Sequence, residues 1–234
     1  MFLRGKVMKA LKKLFWGFRN KQKMTGAEVN FDDVFYVDLI IDVGVSGGTP
    51  WLYRKFPSSP LLLVEPVNIV SGLYGLLQGR DYEIQEVAAG ACVGNVIINV
   101  DKVYPSSSSI LQRTALTAKT GREYDLKEVK VLPLDDILSS SRFASVEKIG
   151  LKIDTEGFEL EVLKGAVNTL KKCQFVVCEV SIKERFVESY NFSELVSFMH
   201  LRGFYVSSIL TARPNAQGVI KYADLLFSKV PSCT

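Results

Sequence analysis

Two short stretches of the sequence combine acidic residues with glycine, which are the residue types that build a ligand site at the end of a strand. In the first stretch, the apolar run Leu39–Val43 contains Asp42 and leads into Gly44, Ser46 and Gly48. Glycine lets a backbone turn tightly and approach a ligand closely. The pattern therefore predicts a strand, a ligand-binding turn and a helix, although a tight turn without a ligand would have the same pattern.

The residues after this turn narrow the class of ligand. Thr49 is a good N-cap, and Pro50 suits the first helical position. Glu65 ends the next apolar run, close to the spacing from Asp42 at which an acid binds ribose hydroxyls in nucleotide-binding folds. Because the turn begins with an acid and departs from G-x-G-x-x-G, it suits the cationic methionyl end of S-adenosyl-L-methionine better than an anionic pyrophosphate. We expect that cofactor, with a nicotinamide enzyme as the less favoured alternative.

The second stretch places Asp154 at the carboxyl end of a predicted strand and Glu156 at the entrance of the next helix. Open α/β sheets bind ligands at the carboxyl ends of their strands. Glu156 has a structural alternative, because an acid at a helix N-terminus is favourable against the helix dipole. Lys152 could likewise simply pair with an acid.

A sheet must position these residues, and short apolar runs alternate with amphipathic stretches from residue 37 onward. Strands are predicted over Leu39–Val43, Leu61–Glu65, Glu83–Ala88, Val96–Val100, Val129–Leu132, Ile149–Asp154, Gln174–Val180, Phe204–Ile209 and Ala223–Phe227. Helices are predicted over about 49–56, 67–78, 157–171 and 191–202. Apolar runs between helices indicate an α/β fold with a doubly wound, mainly parallel seven-stranded sheet of Rossmann-like type. The last two strands predict an antiparallel hairpin at its end.

Composition bounds the class of protein. The chain has 234 residues, 47% of them hydrophobic and 23% charged, which fits one globular domain with an appendage. The four cysteines form no CxxC pair and His200 is the only histidine, so a Cys/His zinc site is not expected. We read the cysteines as reduced thiols and expect a cytoplasmic protein. Basic residues beyond the N-terminus are balanced by acids, so no nucleic-acid partner is expected.

The N-terminal segment differs from the rest of the chain. Its first 23 residues contain eight lysines and arginines and no acid. Within residues 2–19, Val7, Leu11, Leu14 and Phe18 share one helical face. We predict a basic amphipathic helix or arm over residues 1–26, followed by the main domain over 27–234. The helix could dock on its own domain or on a second subunit, lie peripherally at the inner membrane surface, or form a mobile arm.

The stretch Ile149–Ala166 resembles the K-I-D-x-E-G-x-E-x-x-V-L-K-G-A signature of the FkbM family of S-adenosylmethionine-dependent O-methyltransferases. Further features follow in the order typical of the family: the Asp42 glycine turn, Val64-Glu65-Pro66, Ala88-Ala89-Gly90, Ser108–Leu111, Leu134–Leu138, Val177–Val180 and Tyr222–Phe227. The resemblance covers roughly residues 37–228.

This resemblance implies a class I methyltransferase sheet and methyl transfer to a hydroxyl of a sugar, glycolipid or secondary metabolite. The expected cofactor-binding residues are Asp42, Gly44, Ser46, Gly48, Glu65, Pro66, Ala88, Ser109 and Asp154. Two departures stand out. Many relatives carry Asn where Ser46 stands, and many carry a His shortly after the strand that ends here with Glu179-Val180-Ser181, so this chain must act without that His.

Methyl transfer to oxygen requires the acceptor hydroxyl to lose its proton as it attacks. We expect Asp154 to orient and deprotonate the acceptor, with Glu156 and Glu179 as helpers. These carboxylates could instead hold a divalent cation such as Mg²⁺, which we do not favour, and no metal ligand is assigned. A non-catalytic scaffold that keeps the nucleotide pocket is the alternative from a different functional class. The expected partner is a small-molecule, glycan or glycolipid acceptor, and we predict no oligomeric state.

Overall fold

A computed structural model describes residues 24–25, 35–67, 72–115, 117–118, 121–215 and 217–229 of the chain. Apart from Met24–Thr25, the predicted N-terminal helix or arm lies outside these residues. The described part forms two sheets, with helices packed against the larger one.

The main sheet has eight strands. They are β1 (Met24–Thr25), β2 (Leu39–Val43), β3 (Leu61–Val64), β4 (Tyr82–Gln85), β8 (Ile149–Ile153), β9 (Cys173–Ser181), β10 (Phe204–Pro214) and β11 (Ile220–Lys229). Their order across the sheet is β1-β10-β11-β9-β8-β2-β3-β4. The five adjacent strands β9-β8-β2-β3-β4 pair in parallel, whereas β11 pairs antiparallel with both β9 and β10. The predicted seven-stranded, mainly parallel sheet with a terminal hairpin is confirmed, and the two-residue β1 adds an eighth strand at its edge.

A second sheet contains three strands that the sequence pattern did not separate from the main sheet. They are β5 (Ala88–Ala89), β6 (Gly94–Asp101) and β7 (Tyr124–Leu132), in the order β5-β7-β6. The predicted strand Glu83–Ala88 therefore divides between the two sheets. In β6 and β7 one face is exposed, as at Ile97 and Leu126, which is typical of an antiparallel sheet with one solvated side.

Six helices are described: α1 (Pro50–Lys55), α2 (Gly72–Leu77), α3 (Leu134–Ser140), α4 (Glu159–Lys164), α5 (Val167–Lys172) and α6 (Phe192–His200). The prediction of one helix over 157–171 was wrong, because α4 and α5 are separated at Gly165–Ala166. A Cβ on Gly165 would lie 1.9 Å from the carbonyl oxygen of Gly90, so this break lies against the turn after β5. The short α3 was not predicted as a helix.

The core lies on both faces of the main sheet. All five residues of β2 are buried, and its four apolar residues divide between two apolar clusters. Leu39, Ile41 and Val43 pack with α3 to α6 on one face, whereas Ile40 packs with α1 and α2 on the other. This double burial explains why a continuous apolar run, without alternation, encoded a central strand.

Strand register places the functional end of the sheet. Val43 pairs with Val64 and with Ile153, Ile153 pairs with Cys178, and Glu179 pairs with Asp224. The next position along each of these strands therefore falls on one transverse row, which we call the carboxyl-edge row. It comprises Glu65, Gly44, Asp154, Glu179 and Asp224.

Candidate active site

A cavity of about 620 Å³ opens at the carboxyl-edge row. The predicted site residues that line it are Gly44, Ser46, Gly48, Glu65, Pro66, Ala88, Ser109, Asp154 and Glu156. The predicted residues Asp42 and Glu179 do not line it. The cavity wall also includes Trp51 and Asp224, to which the sequence analysis gave no role. Lys152, which was considered only as a partner for an acid, lines the cavity as well.

The turn after β2 has a left-handed backbone at three positions, with φ of +77° at Gly44, +44° at Ser46 and +85° at Gly48. A Cβ on Gly44 would lie 1.8 Å from the carbonyl oxygen of Asp154. A Cβ on Gly48 would lie 2.6 Å from the side chain of Leu73. Packing against the backbone therefore already requires glycine at position 44, whereas at position 48 the close contact is with the end of a flexible side chain and the positive φ is the stronger reason for glycine.

Asp42 lies beneath this turn and is fully buried. One of its carboxylate oxygens accepts hydrogen bonds from the hydroxyls of Thr49 (2.8 Å) and Tyr53 (2.6 Å), and Lys152 Nζ lies 3.0 Å from the other. Thr49 is thus committed to Asp42 and makes no side-chain cap for α1, contrary to expectation. Direct contact of Asp42 with a ligand was also expected, but both of its oxygens are occupied by protein groups below the cavity.

Lys152 connects the two acidic stretches. Its Nζ donates a hydrogen bond to the Gly44 carbonyl (2.9 Å) and lies 3.7 Å from a carboxylate oxygen of Asp154. Burial alone would lower the pKa of Lys152, but the charges of Asp42 and Asp154 raise it above its ordinary value. Lys152 is therefore held as a cation that links β2, the glycine turn and Asp154. A possible sequence signal was a lysine and an aspartate inside two otherwise apolar strands, where they face each other in register.

Glu65 is fixed at the opposite side of the turn. Its two carboxylate oxygens accept hydrogen bonds from the backbone N–H groups of Ser46 (2.9 Å) and Val67 (3.0 Å). Burial raises the pKa of Glu65, and the two backbone hydrogen bonds oppose that shift. Because a carboxylate oxygen has more than one lone pair, Glu65 can still accept hydrogen bonds from hydroxyl groups in the cavity.

Glu156 and Glu179 share one arginine. Arg185 is buried, and its two terminal nitrogens lie 2.6 Å from Glu156 and 2.6 Å from Glu179. Arg113 lies 3.3 Å from Glu156 as well. Burial raises the pKa of Glu179 well above its ordinary value, Asp154 adds to the rise, and Arg185 opposes it. These two carboxylates are therefore engaged in a cluster of buried charges that the sequence did not reveal, because Arg185 and Arg113 lie in loops far along the chain from Glu156, and the proximity of Arg185 to Glu179, six residues apart, is not by itself a sign of an ion pair.

Glu156 does not cap α4, so that alternative was wrong. The N-cap position is Phe158, and no side chain caps it. The turn is held instead by the buried Glu159, whose carboxylate accepts the N–H groups of Thr155 and Gly157, each at 3.0 Å, and the hydroxyl of Tyr190 at 2.8 Å.

Asp154 differs from the other two predicted catalytic carboxylates. Its side chain is 36% exposed, and within the described residues its charged neighbour in an ion pair is Lys152. Ser109 lies nearby, where its hydroxyl donates to the Glu156 carbonyl (2.7 Å) and accepts the N–H of Leu111 (3.0 Å). Asp154 is thus the predicted catalytic carboxylate that stays available to a molecule in the cavity.

The described residues contain neither a cluster suited to a metal ion nor a helix suited to crossing a membrane. In this part of the chain, no group of three or more His, Cys, Asp or Glu side chains is arranged to hold a metal ion. None of its helices is both long enough and apolar enough to cross a membrane.

Solved structures of several methyltransferases are similar to the chain at low identity. One is the 1,6-didemethyltoxoflavin-N1-methyltransferase of Burkholderia thailandensis with bound 1,6-didemethyltoxoflavin and S-adenosylhomocysteine, at 9% identity over 82% of this chain and 71% of that chain, with a TM-score of 0.43. An O-methyltransferase family protein of the same organism has 8% identity over 88% and 54% of the two chains and a TM-score of 0.45. An N,N-8-amino-8-demethyl-D-riboflavin dimethyltransferase of Streptomyces davawensis has 11% identity over 85% and 51%, with a TM-score of 0.39. The chain thus spans about half the length of the last two proteins.

The sequence comparisons give the family. A search of curated proteins finds no match. The model of the methyltransferase FkbM domain matches residues 46–206, which is more than half of the chain and contains Glu65, Asp154 and the Arg185 cluster. The chain belongs to the FkbM family of methyltransferases.

Proposed function

We propose that this protein binds S-adenosyl-L-methionine as its methyl donor and transfers the methyl group to a hydroxyl of a small molecule, such as a sugar, a glycolipid or a secondary metabolite. The observation that carries this proposal is that Glu65, Gly44 and Asp154 stand side by side on the carboxyl-edge row and line one cavity. Ligands of open α/β sheets bind at this edge.

The residues present fit a nucleoside donor. Glu65 is fixed by two backbone N–H groups and retains lone pairs for the ribose hydroxyls. Asp154 places a carboxylate at the far side of the turn, where it favours the cationic end of the donor. A volume of about 620 Å³ lies within the range of roughly 300 to 1,000 Å³ that is usual for small-molecule sites.

The bound donor would supply an electrophilic methyl group on a positively charged sulfur. Asp154 then orients the acceptor hydroxyl and accepts its proton as the oxygen–methyl bond forms. Lys152 keeps Asp154 in place through its 3.7 Å contact. We assign Glu156 and Glu179 a positioning role, because Arg185 holds both of them.

Calorimetric titration with S-adenosylmethionine and S-adenosylhomocysteine tests the donor site. Hydrogen bonds to a charged group contribute about 1.5 to 3 kcal/mol, so Glu65→Gln should weaken binding roughly 10- to 150-fold. Glu86→Gln serves as the matched control, because Glu86 is an exposed acid near the same sheet edge and does not line the cavity. Absence of binding by the wild-type protein, or equal binding by Glu65→Gln, would refute the donor assignment.

An acceptor screen with labelled donor tests the role of Asp154. In Asp154→Asn the donor should bind more weakly but still measurably, because Glu65 remains. At saturating donor, turnover of any acceptor found should fall about 100-fold or more, since general-base catalysis contributes about 10² to 10⁴. Turnover at the wild-type rate would exclude Asp154 as the base. Donor binding without turnover by the wild type across the screen would favour the scaffold alternative.

A further inference from the structure

Asp224 occupies the end of the carboxyl-edge row and lines the same cavity, yet nothing above gives it a role. It lies on β11, two strands beyond β8 and four strands beyond β3. With strands about 4.8 Å apart, its backbone lies about 10 Å across the sheet from that of Asp154 and about 19 Å from that of Glu65. The cavity therefore extends well past the three strands that carry the proposed donor site.

In the described part of the chain, the carboxylate of Asp224 lacks the ion pair that Asp42, Asp154, Glu156 and Glu179 each make. It is half-buried and accepts a hydrogen bond from the hydroxyl of Thr211 on the neighbouring strand β10. Among the described residues no lysine or arginine forms an ion pair with it, whereas Asp42 pairs with Lys152, and Glu156 and Glu179 pair with Arg185. Burial raises the pKa of Asp224 and the nearby charge of Asp154 adds to the rise, whereas the hydrogen bond from Thr211 and the charges of Lys152 and Arg213 oppose it.

Among the described residues that line the cavity, the one lysine or arginine is Lys152, and it is already paired. Lys152 and Val177 lie opposite each other in register, and both line the cavity. The charge of Lys152 is already shared between Asp42 and Asp154. Arg213, exposed on the neighbouring strand β10, also acts on Asp224, but it forms no ion pair with it in the described residues and does not line the cavity. An anionic group placed here would therefore face two carboxylates, with no lining cation left unpaired to offset their charge, which costs binding free energy.

Resting on the proposed donor site, we propose that the region at Asp224 is the acceptor subsite and that Asp224 determines its specificity. It takes acceptors that present a hydrogen-bond donor, a hydroxyl or an ammonium group, beside the reacting hydroxyl. It rejects acceptors with a carboxylate or phosphate at that position. An ionised carboxylate can only accept hydrogen bonds, so the selection follows from the chemistry of the side chain.

Analogues of S-adenosylhomocysteine test this without knowledge of the acceptor. In these probes a nitrogen replaces the sulfur and carries a three-carbon arm that ends in an ammonium, a hydroxyl or a carboxylate. The arm leaves the donor in the direction of the transferred methyl group. By calorimetry, the wild-type protein should bind the ammonium and hydroxyl arms at least about tenfold more tightly than the carboxylate arm.

Asp224→Asn should reduce that preference to within about threefold, while the affinity for S-adenosylhomocysteine changes by less than about twofold. Thr211→Val removes the hydrogen bond and keeps the carboxylate, so it should retain the preference, as should the matched charge control Glu86→Gln. If Asp224→Asn does not fold, Asp224→Ser removes the carboxylate with a smaller side chain and takes its place. A preference that is unchanged in the folded variant would overturn the role of Asp224.

Equal binding of the three arms by the wild type would overturn the acceptor subsite and leave the donor proposal intact. A tenfold loss of S-adenosylhomocysteine affinity in Asp224→Asn would overturn it too, because Asp224 would then belong to the donor site. Failure of the wild type to bind S-adenosylhomocysteine would overturn the donor proposal and this one together.

Discussion

The two halves of the cavity are built by different means. Following the two proposals above, we call Gly44–Gly48, Glu65 and Lys152 the donor half. The acceptor half comprises the lining residues Glu156 and Asp224 together with Glu179, Arg113 and Arg185, which do not line the cavity but belong to the same cluster of charges. In the donor half, each charge is held by a neighbouring strand or by the adjacent turn, as where Lys152 faces Asp42 in register. In the acceptor half, Glu156 is held by Arg113 and Arg185, two loop arginines on either side of it in the sequence. Arg185 also holds Glu179, which precedes it by six residues.

The loops of the acceptor half also bind each other. The N–H of Thr114 donates to the carbonyl of Arg185 (2.9 Å), and the N–H of Val187 donates to that of Gln112 (2.8 Å). The two halves thus differ in how much connecting segments contribute: Arg113, Arg185 and Glu156 lie in loops, whereas Glu179 and Asp224 lie on strands. Because loops vary more readily than strands, the proposed acceptor half is the one in which the arginine cluster could change without altering Glu65 and Lys152.

Removal of Arg185 should produce the largest loss of unfolding free energy, and this loss should originate in the acceptor half. Arg185→Met leaves Glu156 and Glu179 buried without their shared cation, and breaking a buried ion pair in this way costs about 3 to 5 kcal/mol. Arg142→Met is the matched control, because Arg142 is 52% exposed in its pairs with Asp81 and Glu83 and should contribute about 1 kcal/mol or less.

Urea denaturation measures both free energies of unfolding. An Arg185→Met protein as stable as Arg142→Met would show that the acceptor half does not depend on the arginine cluster. Adding Glu179→Gln to Arg185→Met should recover part of the loss, because it removes one of the uncompensated charges.

In the turn of the donor half, a substitution at Gly44 should reduce stability more than one at Gly47. Gly44→Ala places a Cβ 1.8 Å from the Asp154 carbonyl oxygen at a φ of +77°, so it should cost at least about 2 kcal/mol of unfolding free energy. Gly47→Ala meets no atom within 4 Å and should change stability by about 0.5 kcal/mol or less. Equal effects of the two substitutions, measured by thermal or urea unfolding, would contradict the packing reason for Gly44.

The same division explains which parts of the molecule could be predicted from the sequence. The strand, turn and helix around Gly44, the acid at Glu65 and the strand ending at Asp154 could be predicted because each is encoded within a few consecutive residues. The doubly buried sheet followed from uninterrupted apolar runs such as Leu61–Val64. Local pattern and tertiary structure agree in these elements.

Long-range contacts account for what was missed. No local signal connects Arg185 with Glu156, 29 residues away, or assigns Asp224 to the cavity. Strands β6 and β7 read as ordinary apolar runs, and only their pairing with each other removes them from the main sheet. Asp42 was expected to bind the ligand because sequence shows an acid at a turn but not the Thr49, Tyr53 and Lys152 groups that occupy it.

The smallest expected effect is the change of S-adenosylhomocysteine affinity with pH. It should distinguish titration of Glu65 in the donor half from titration of the acids in the acceptor half. Burial raises the pKa of Glu65, so this side chain takes up a proton at a pH where an ordinary glutamate is still ionised. Protonation removes acceptor capacity for the ribose hydroxyls, so the affinity for S-adenosylhomocysteine should fall as the pH decreases toward the raised pKa of Glu65, above the pH range in which an ordinary glutamate takes up its proton. Glu65→Gln should bind weakly with little dependence on pH in this range.

Stability should respond to Glu65 with the opposite sign. A raised pKa in the folded state means that the native protein binds more protons than the unfolded chain between the ordinary and the raised value. The free energy of unfolding contributed by this group therefore decreases as the pH rises through that window, while donor affinity increases. If donor affinity in Glu65→Gln falls with decreasing pH as steeply as in the wild type, the titrating carboxylate lies elsewhere, and the acids Glu156, Glu179 and Asp224 of the acceptor half would have to influence the donor.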